Sequence, residues 1–187
     1  MSRGLAVGLL VVTLGTACAG GAAGGGGAWQ EAARAAQLLG PTQASDAAAA
    51  VSALPAAERQ AVSERLDALA ALQPGVDGIR QAGALVREGV AALAGGPTQP
   101  GGSSAAQGAL LRGATVVLHG LVYRSGQAVA AGPDPEAAAA LLLAAVRQDL
   151  AVFPGAPGQT TTPPELEREL RLGLGPELYV KVVKQAG

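Results

Sequence analysis

The chain has 187 residues, with 13 basic and 14 acidic side chains, a net charge of −1, one histidine and one cysteine. That balance offers neither the basic surface that nucleic acid requires nor the polybasic patch that holds a protein on an anionic membrane. A single histidine and a single cysteine exclude His-cluster and Cys-cluster metal sites, and no cofactor is expected. With only Trp29, Tyr123, Phe153 and Tyr179 as aromatics, the core falls to Ala, Val and Leu, which bury less area per residue.

The most specific signal is N-terminal. Arg3 supplies a positive lead, residues 5–14 (LAVGLLVVTL) form an apolar run, and Gly15-Thr16-Ala17 are small. This is the three-part layout of an export signal, and the run falls short of the ~20 apolar residues that span a bilayer. Gly15-Thr16-Ala17-Cys18 resembles the lipobox of bacterial lipoproteins, in which small residues precede an invariant cysteine. The resemblance implies a diacylglycerol on the Cys18 sulfur, cleavage just before it and acylation of the new N-terminus. Ala19 is compatible, in that family, with sorting to the periplasmic face of a Gram-negative outer membrane. Gly15 departs from the family pattern, which prefers Leu three residues before the cysteine; Leu14 lies one residue further back. The competing reading is ordinary signal-peptidase cleavage at Ala17-Cys18-Ala19, which gives a secreted or periplasmic soluble protein. A secreted chain cut before Cys18, unlike one cut after Ala19, would carry a free thiol with no intramolecular partner, and a solitary cysteine at the end of the apolar run is read as an acyl acceptor.

Residues 19–27 (AGGAAGGGG) read as a flexible tether with a reach of about 15–20 Å. Trp29, Ala32, Ala33, Ala36 and Leu39 then share a helical face until Gly40-Pro41 stops the run. Ser45 can cap a short Ala-rich segment that ends at Leu54. Pro55 and Glu58 open a third helix, with Val62, Leu66 and Leu69 as its stripe and Pro74-Gly75 as its end. The fourth segment is the most regular: Val76, Ile79, Gly83, Val86, Val90 and Leu93 step by three or four, and Arg80, Arg87 and Glu88 fall off that seam. Gly83 in the seam admits a neighbouring backbone, at about 1 kcal/mol of helix propensity.

Residues 95–104 (GGPTQPGGSS) read as a linker. Residues 105–131 predict a long helix in which Leu111, Ala114, Leu118, Val122 and Val129 nearly align. Its centre, 115–123, is apolar almost all round, which suits a helix buried among others; a buried strand is the rival reading. Arg112, His119 and Arg124 argue against a membrane span. Asp134 and Pro135 then cap and open a helix whose face is Ala139, Leu143, Val146, Leu150 and Phe153. After a second linker at 155–161, Thr162 and Glu165 form a capping-box pair ahead of Leu166 and Leu170, with Glu167 and Arg171 as an i,i+4 pair. Residues 178–184 (LYVKVVK) suit either a terminal helix, the preferred reading, or a short edge strand paired with 115–123.

The expected architecture is an all-α bundle of about five to seven helices, with a short C-terminal strand as the variant. Its order is signal peptide 1–17, acylated cysteine and tether 18–27, helical segment 28–94, linker 95–104 and helical segment 105–187, the two helical segments forming one domain. Chemistry is sparse. The glycine-rich stretches lack the Lys-Ser/Thr of a phosphate loop. Arg112, Val116, His119 and Tyr123 share one helical face, so Arg112, His119 and Tyr123 are the candidate ligand face, able to hold an anion. The bland reading, that His119 and Tyr123 are amphipathic edge residues, is favoured. Glu165, Glu167 and Glu169 are a second candidate, as paired carboxylates, but a charged first turn ordinarily serves the helix dipole and solvation. The expected function is a membrane-anchored, non-enzymatic binding or assembly-accessory module of the cell envelope with a protein partner and no nucleic acid. The alternative is a small hydrolase or anionic-ligand-binding protein that uses the Arg112, His119 and Tyr123 face.

Overall fold

The computed structural model describes residues 27–39, 41–94, 103–150 and 164–186, and over these the chain is all-α, with eight helices and no strand. They are α1 (Ala28–Ala33), α2 (Pro41–Ser52), α3 (Ala56–Ala70), α4 (Val76–Ala94), α5 (Ser104–Ala130), α6 (Pro135–Asp149), α7 (Pro164–Leu174) and α8 (Pro176–Ala186). The organising element is α5. Helices α1, α2, α3, α4, α6 and α7 all pack on it, while α8 packs on α6 and α7.

Residues 115–123 are helical, as their all-round hydrophobicity suggests. Val116, Val117, Leu118, Leu121 and Val122 are all buried, so neighbours on every side override the strand preference of β-branched residues. By length and composition α5 could cross a bilayer, with a mean hydropathy of 1.2, yet 67% of that window is buried inside the bundle. Burying a Leu or Val side chain is worth roughly 1.5–3 kcal/mol. The core carries this term at Leu66, Ile79, Leu118, Leu121, Leu142, Leu143, Leu150, Leu166 and Leu170, on both sides of the 95–104 linker.

The seams read from the sequence face inward. Val62, Leu66 and Leu69 are buried on α3, as are Ile79, Val86 and Leu93 on α4, and Ala139, Leu143 and Val146 on α6. Gly83 does admit a backbone: a Cβ there would lie 2.5 Å from the Asp149 carbonyl oxygen. Helices α5 and α7 also approach closely: a Cβ on Gly126 would lie 2.9 Å from the Gly173 backbone and one on Gly173 would run into the Tyr123 carbonyl oxygen, so the helices meet with no side chain between them. Residues 178–184 are helical within α8. Val182 is buried and Lys181 Nζ reaches Glu136 Oε1 of α6 at 2.8 Å.

Several helix ends are finished by side chains from elsewhere in the fold, which satisfies amides that a helix leaves without partners. Asp67 of α3 accepts from the Trp29 amide in the first turn of α1, at 3.1 Å. Glu58 accepts from the amide (3.3 Å) and hydroxyl (2.7 Å) of Ser103, and the same hydroxyl accepts from the Ala106 amide to cap α5. Ser125 Oγ, buried on α5, accepts from the Gly75 amide at the start of α4.

Four local expectations need correcting. The described residues form eight helices, one more than the upper end of the expected five to seven, since each punctuated segment is a helix of its own. Helix α1 ends at Ala33 instead of running to Leu39, because the Gln37 and Leu38 amides bond to Glu169 instead of to helical carbonyls. Helix α2 starts at Pro41, ahead of Ser45, since proline's missing N–H is tolerated in the first turn. Glu167 pairs with Arg147 and Tyr179, not Arg171, because a tertiary bidentate contact outcompetes an exposed i,i+4 pair. Cys18 and the tether, most of the 95–104 linker, Phe153 and the Thr162 cap lie outside the described residues.

Candidate functional site

Two polar residues are drawn into the most apolar part of the bundle. Glu169 of α7 has no exposed surface, and His119 of α5 is 2% exposed. The Glu169 side chain is held by backbone donors of the α1–α2 connection: Oε1 accepts from the Leu38 amide at 2.8 Å and from the Gln37 amide at 3.0 Å. The Oε2 atom accepts a longer contact of 3.3 Å from the Gln37 amide. His119 Nδ1 sits 3.3 Å from Glu169 Oε1. Against an ionised carboxylate, which only accepts, the imidazole would donate from Nδ1–H. Burial pushes the His119 pKa below its usual 6.5, against the opposing pull of the Glu169 hydrogen bond and the charges of Glu169 and Glu165. Burial thus favours the neutral imidazole, whose Nδ1 faces Glu169 Oε1.

Local sequence explains how each member arrives there. Glu169 falls on the same helical stripe as Leu166, Leu170 and Gly173, all buried, so the α7 face that meets α5 carries it inward. His119 lies in the stretch of α5 that is enclosed on every side. Such a pair would be very costly if unsatisfied, and the two amides and the imidazole supply the missing partners.

Beside this knot the α1–α2 connection forms the wall of a groove on α5. One pocket of about 450 Å³ lies between α1 and α2, with Gln30, Arg34 and Ser45 as its polar groups and Ala33, Leu39, Ala48 and Val116 among its apolar ones. A second, of about 320 Å³, shares Leu39 and Val116 and is bordered by Asp46, Arg112 and Thr115. Leu39 stands between them. The Glu169 bonds to Gln37 and Leu38 thus fix the segment that carries Leu39 into the groove.

The candidate ligand face is divided by the fold. Arg112 is exposed and borders the second pocket with Val116. His119 is sealed against Glu169, and Tyr123 is half-buried, its hydroxyl accepting from Gln127 Nε2 at 3.0 Å. Arg112, His119 and Tyr123 do not meet in one cleft. The three glutamates also part company. Glu165 is exposed, Glu169 is buried, and Glu167 takes a bidentate contact from Arg147 (3.0 and 3.1 Å) and the Tyr179 hydroxyl at 3.0 Å. Those partners, led by the Arg147 hydrogen bond, hold the Glu167 carboxyl below the usual range. Among the described residues no group of His, Cys, Asp and Glu could hold a metal ion. Sequence reading named Glu169 among three glutamates but missed its burial and its hold on Gln37 and Leu38; the signal was a carboxylate on an apolar helical stripe.

Comparison with family models, curated proteins and solved structures returns no match. Function has to be argued from the residues themselves.

Proposed function

We propose that this chain is a lipid-anchored module of the bacterial cell envelope, acylated on Cys18 and facing the periplasm from the outer membrane. On this reading its helical bundle binds a protein partner, or assists an assembly, without catalysis. The observation that carries the reading is the N-terminal layout: a positive lead, an apolar run, small residues and the chain's sole cysteine in succession. The disposition of His119 supports its non-enzymatic part, because the one imidazole is enclosed and committed to Glu169.

Fractionation tests the anchor. Wild-type chain should be recovered with membranes and Cys18→Ala in the soluble fraction, or unprocessed; soluble wild-type protein beginning at Gly20 would end the lipoprotein reading. Affinity isolation from detergent-solubilised envelope tests the module, with a stoichiometric protein partner as the expected result. A second reading, a small hydrolase or anion binder, draws on one observation: a carboxylate on Nδ1 of a histidine is the arrangement that orients a general base. His119→Gln that stays folded yet abolishes the cellular function would favour it.

A further inference from the structure

We propose that the pocket between α1 and α2 binds a single-chain amphiphile ending in one carboxylate, with the head group on Arg34 and the apolar chain across Leu39 and Val116. The polar groups bordering this pocket are Arg34, Gln30 and Ser45, all able to donate hydrogen bonds, and no carboxylate borders it. Arg34 is exposed and has no side-chain hydrogen bond or ion pair among the described residues, so its guanidinium fork is free to meet a carboxylate in bidentate fashion. Ala44 and Ser45 bring the flank of α2 to the pocket, with the Ser45 hydroxyl as a further donor.

The rest of the lining is apolar and small, and a volume of about 450 Å³ is that of a small-molecule site. Size and charge narrow the occupant further. Leu39 and Val116 line both pockets, so a thin apolar chain held in the first can run along them toward the second. One guanidinium balances one negative charge, favouring a carboxylate over a doubly charged phosphate monoester. Asp46 borders the second pocket alongside Arg112, so an anionic head is repelled there and belongs at the Arg34 end. The site stands whether or not Cys18 carries lipid.

The test uses the full chain in whichever fraction it is recovered, labelled with a photoactivatable diazirine decanoate and mapped by peptide mass spectrometry. Adducts are expected to concentrate within residues 30–48 and 112–118. Their yield should fall about tenfold or more in Arg34→Gln, the worth of one charge-assisted hydrogen bond. It should fall comparably in Ala48→Phe, which fills the pocket, and stay unchanged in Arg168→Gln. The equal-length diazirine alcohol should label the site at a tenth of the yield or less. Equal labelling by the alcohol, no effect of Arg34→Gln, or adducts spread evenly over the surface would each overturn the proposal. Loss of labelling with excess decyl phosphate but not excess decanoate would overturn the carboxylate assignment.

Discussion

Replacing Glu169 by glutamine tests whether a buried negative charge, and not merely an acceptor of the right shape, holds the α1–α2 connection. The amide oxygen can occupy the Oε1 position and keep its three contacts, to Leu38, Gln37 and His119. The amide nitrogen then replaces Oε2 and points a donor at the Gln37 N–H, which had been 3.3 Å from an acceptor. Hydrogen bonds to a charged group are worth about 1.5–3 kcal/mol and neutral ones about 0.5–1.5, so weakening two backbone contacts costs about 2 kcal/mol. Relief from burying a carboxylate offsets part of that, leaving an expected loss of about 1–2 kcal/mol. Glu169→Ala strips all three donors and opens a void, and should cost about 3–5 kcal/mol. Urea denaturation reads the global effect, and amide exchange at Gln37 and Leu38 reads the local one, with faster exchange at both expected in Glu169→Gln. Stability within about 0.5 kcal/mol of wild type, with exchange at Gln37 and Leu38 unchanged, would refute the charge-held latch.

Other expectations follow from the same packing. Val86→Asp places a charge at a 4%-exposed core site and should cost several kcal/mol by denaturant titration, showing whether the α4 seam is buried in the isolated chain. Gly173→Ala forces a side chain between α7 and α5 and should destabilise by about 1–3 kcal/mol, whereas Gly108→Ala meets nothing within 4 Å and should stabilise by up to about 1 kcal/mol. Because the folded His119 pKa lies below 6.5, the unfolded chain takes up this proton first. Stability should therefore fall as pH drops below about 6.5 and level off once the folded state is protonated too. His119→Gln, compared by urea midpoint at pH 7 and pH 5, should lose less stability over that interval than wild type. Glu167 acts in a lower window: its depressed pKa contributes stability above the ordinary value of 4.5 that is lost as pH falls below it, and Glu167→Gln should flatten that part of the profile.

The helices were legible wherever period and punctuation agreed. On α3 and α4 the steps through Val62, Leu66 and Leu69, and through Ile79, Val86 and Leu93, name buried residues, because an amphipathic stripe leaves a helix one choice of inward face. Asp134-Pro135 opens α6, with Asp134 Oδ1 accepting from the Ala137 amide, because capping is local chemistry. The length of α1 was not legible. Trp29, Ala32, Ala33, Ala36 and Leu39 keep helical spacing throughout, yet the helix stops at Ala33: the 34–36 amides tighten onto carbonyls three residues back, and those of Gln37 and Leu38 are claimed by a carboxylate more than 130 positions away. Nothing near residue 37 announces that partner. Glu165, Glu167 and Glu169 read alike as a charged first turn, and only the neighbour that each meets in the fold separates them.

The same remoteness bears on whether His119 can do chemistry. A general base needs its second ring nitrogen within hydrogen-bonding reach of a substrate, and His119 is enclosed. The 32–36 backbone lies against its neighbour Gly120, where a Cβ would come 2.6 Å from the Ala32 carbonyl oxygen, so any opening on that side must move the α1–α2 connection. That connection is tied down by Glu169 through Gln37 and Leu38, the same carboxylate that would have to orient the imidazole. Opening by that route would break the amide contacts and leave the orienting group exposed to competing donors. The two roles of Glu169 therefore oppose each other. A carboxylate that both aims a base and seals it from substrate is better suited to holding a wall in place. That wall carries Leu39 to the edge of both pockets on α5, so the latch shapes the groove directly.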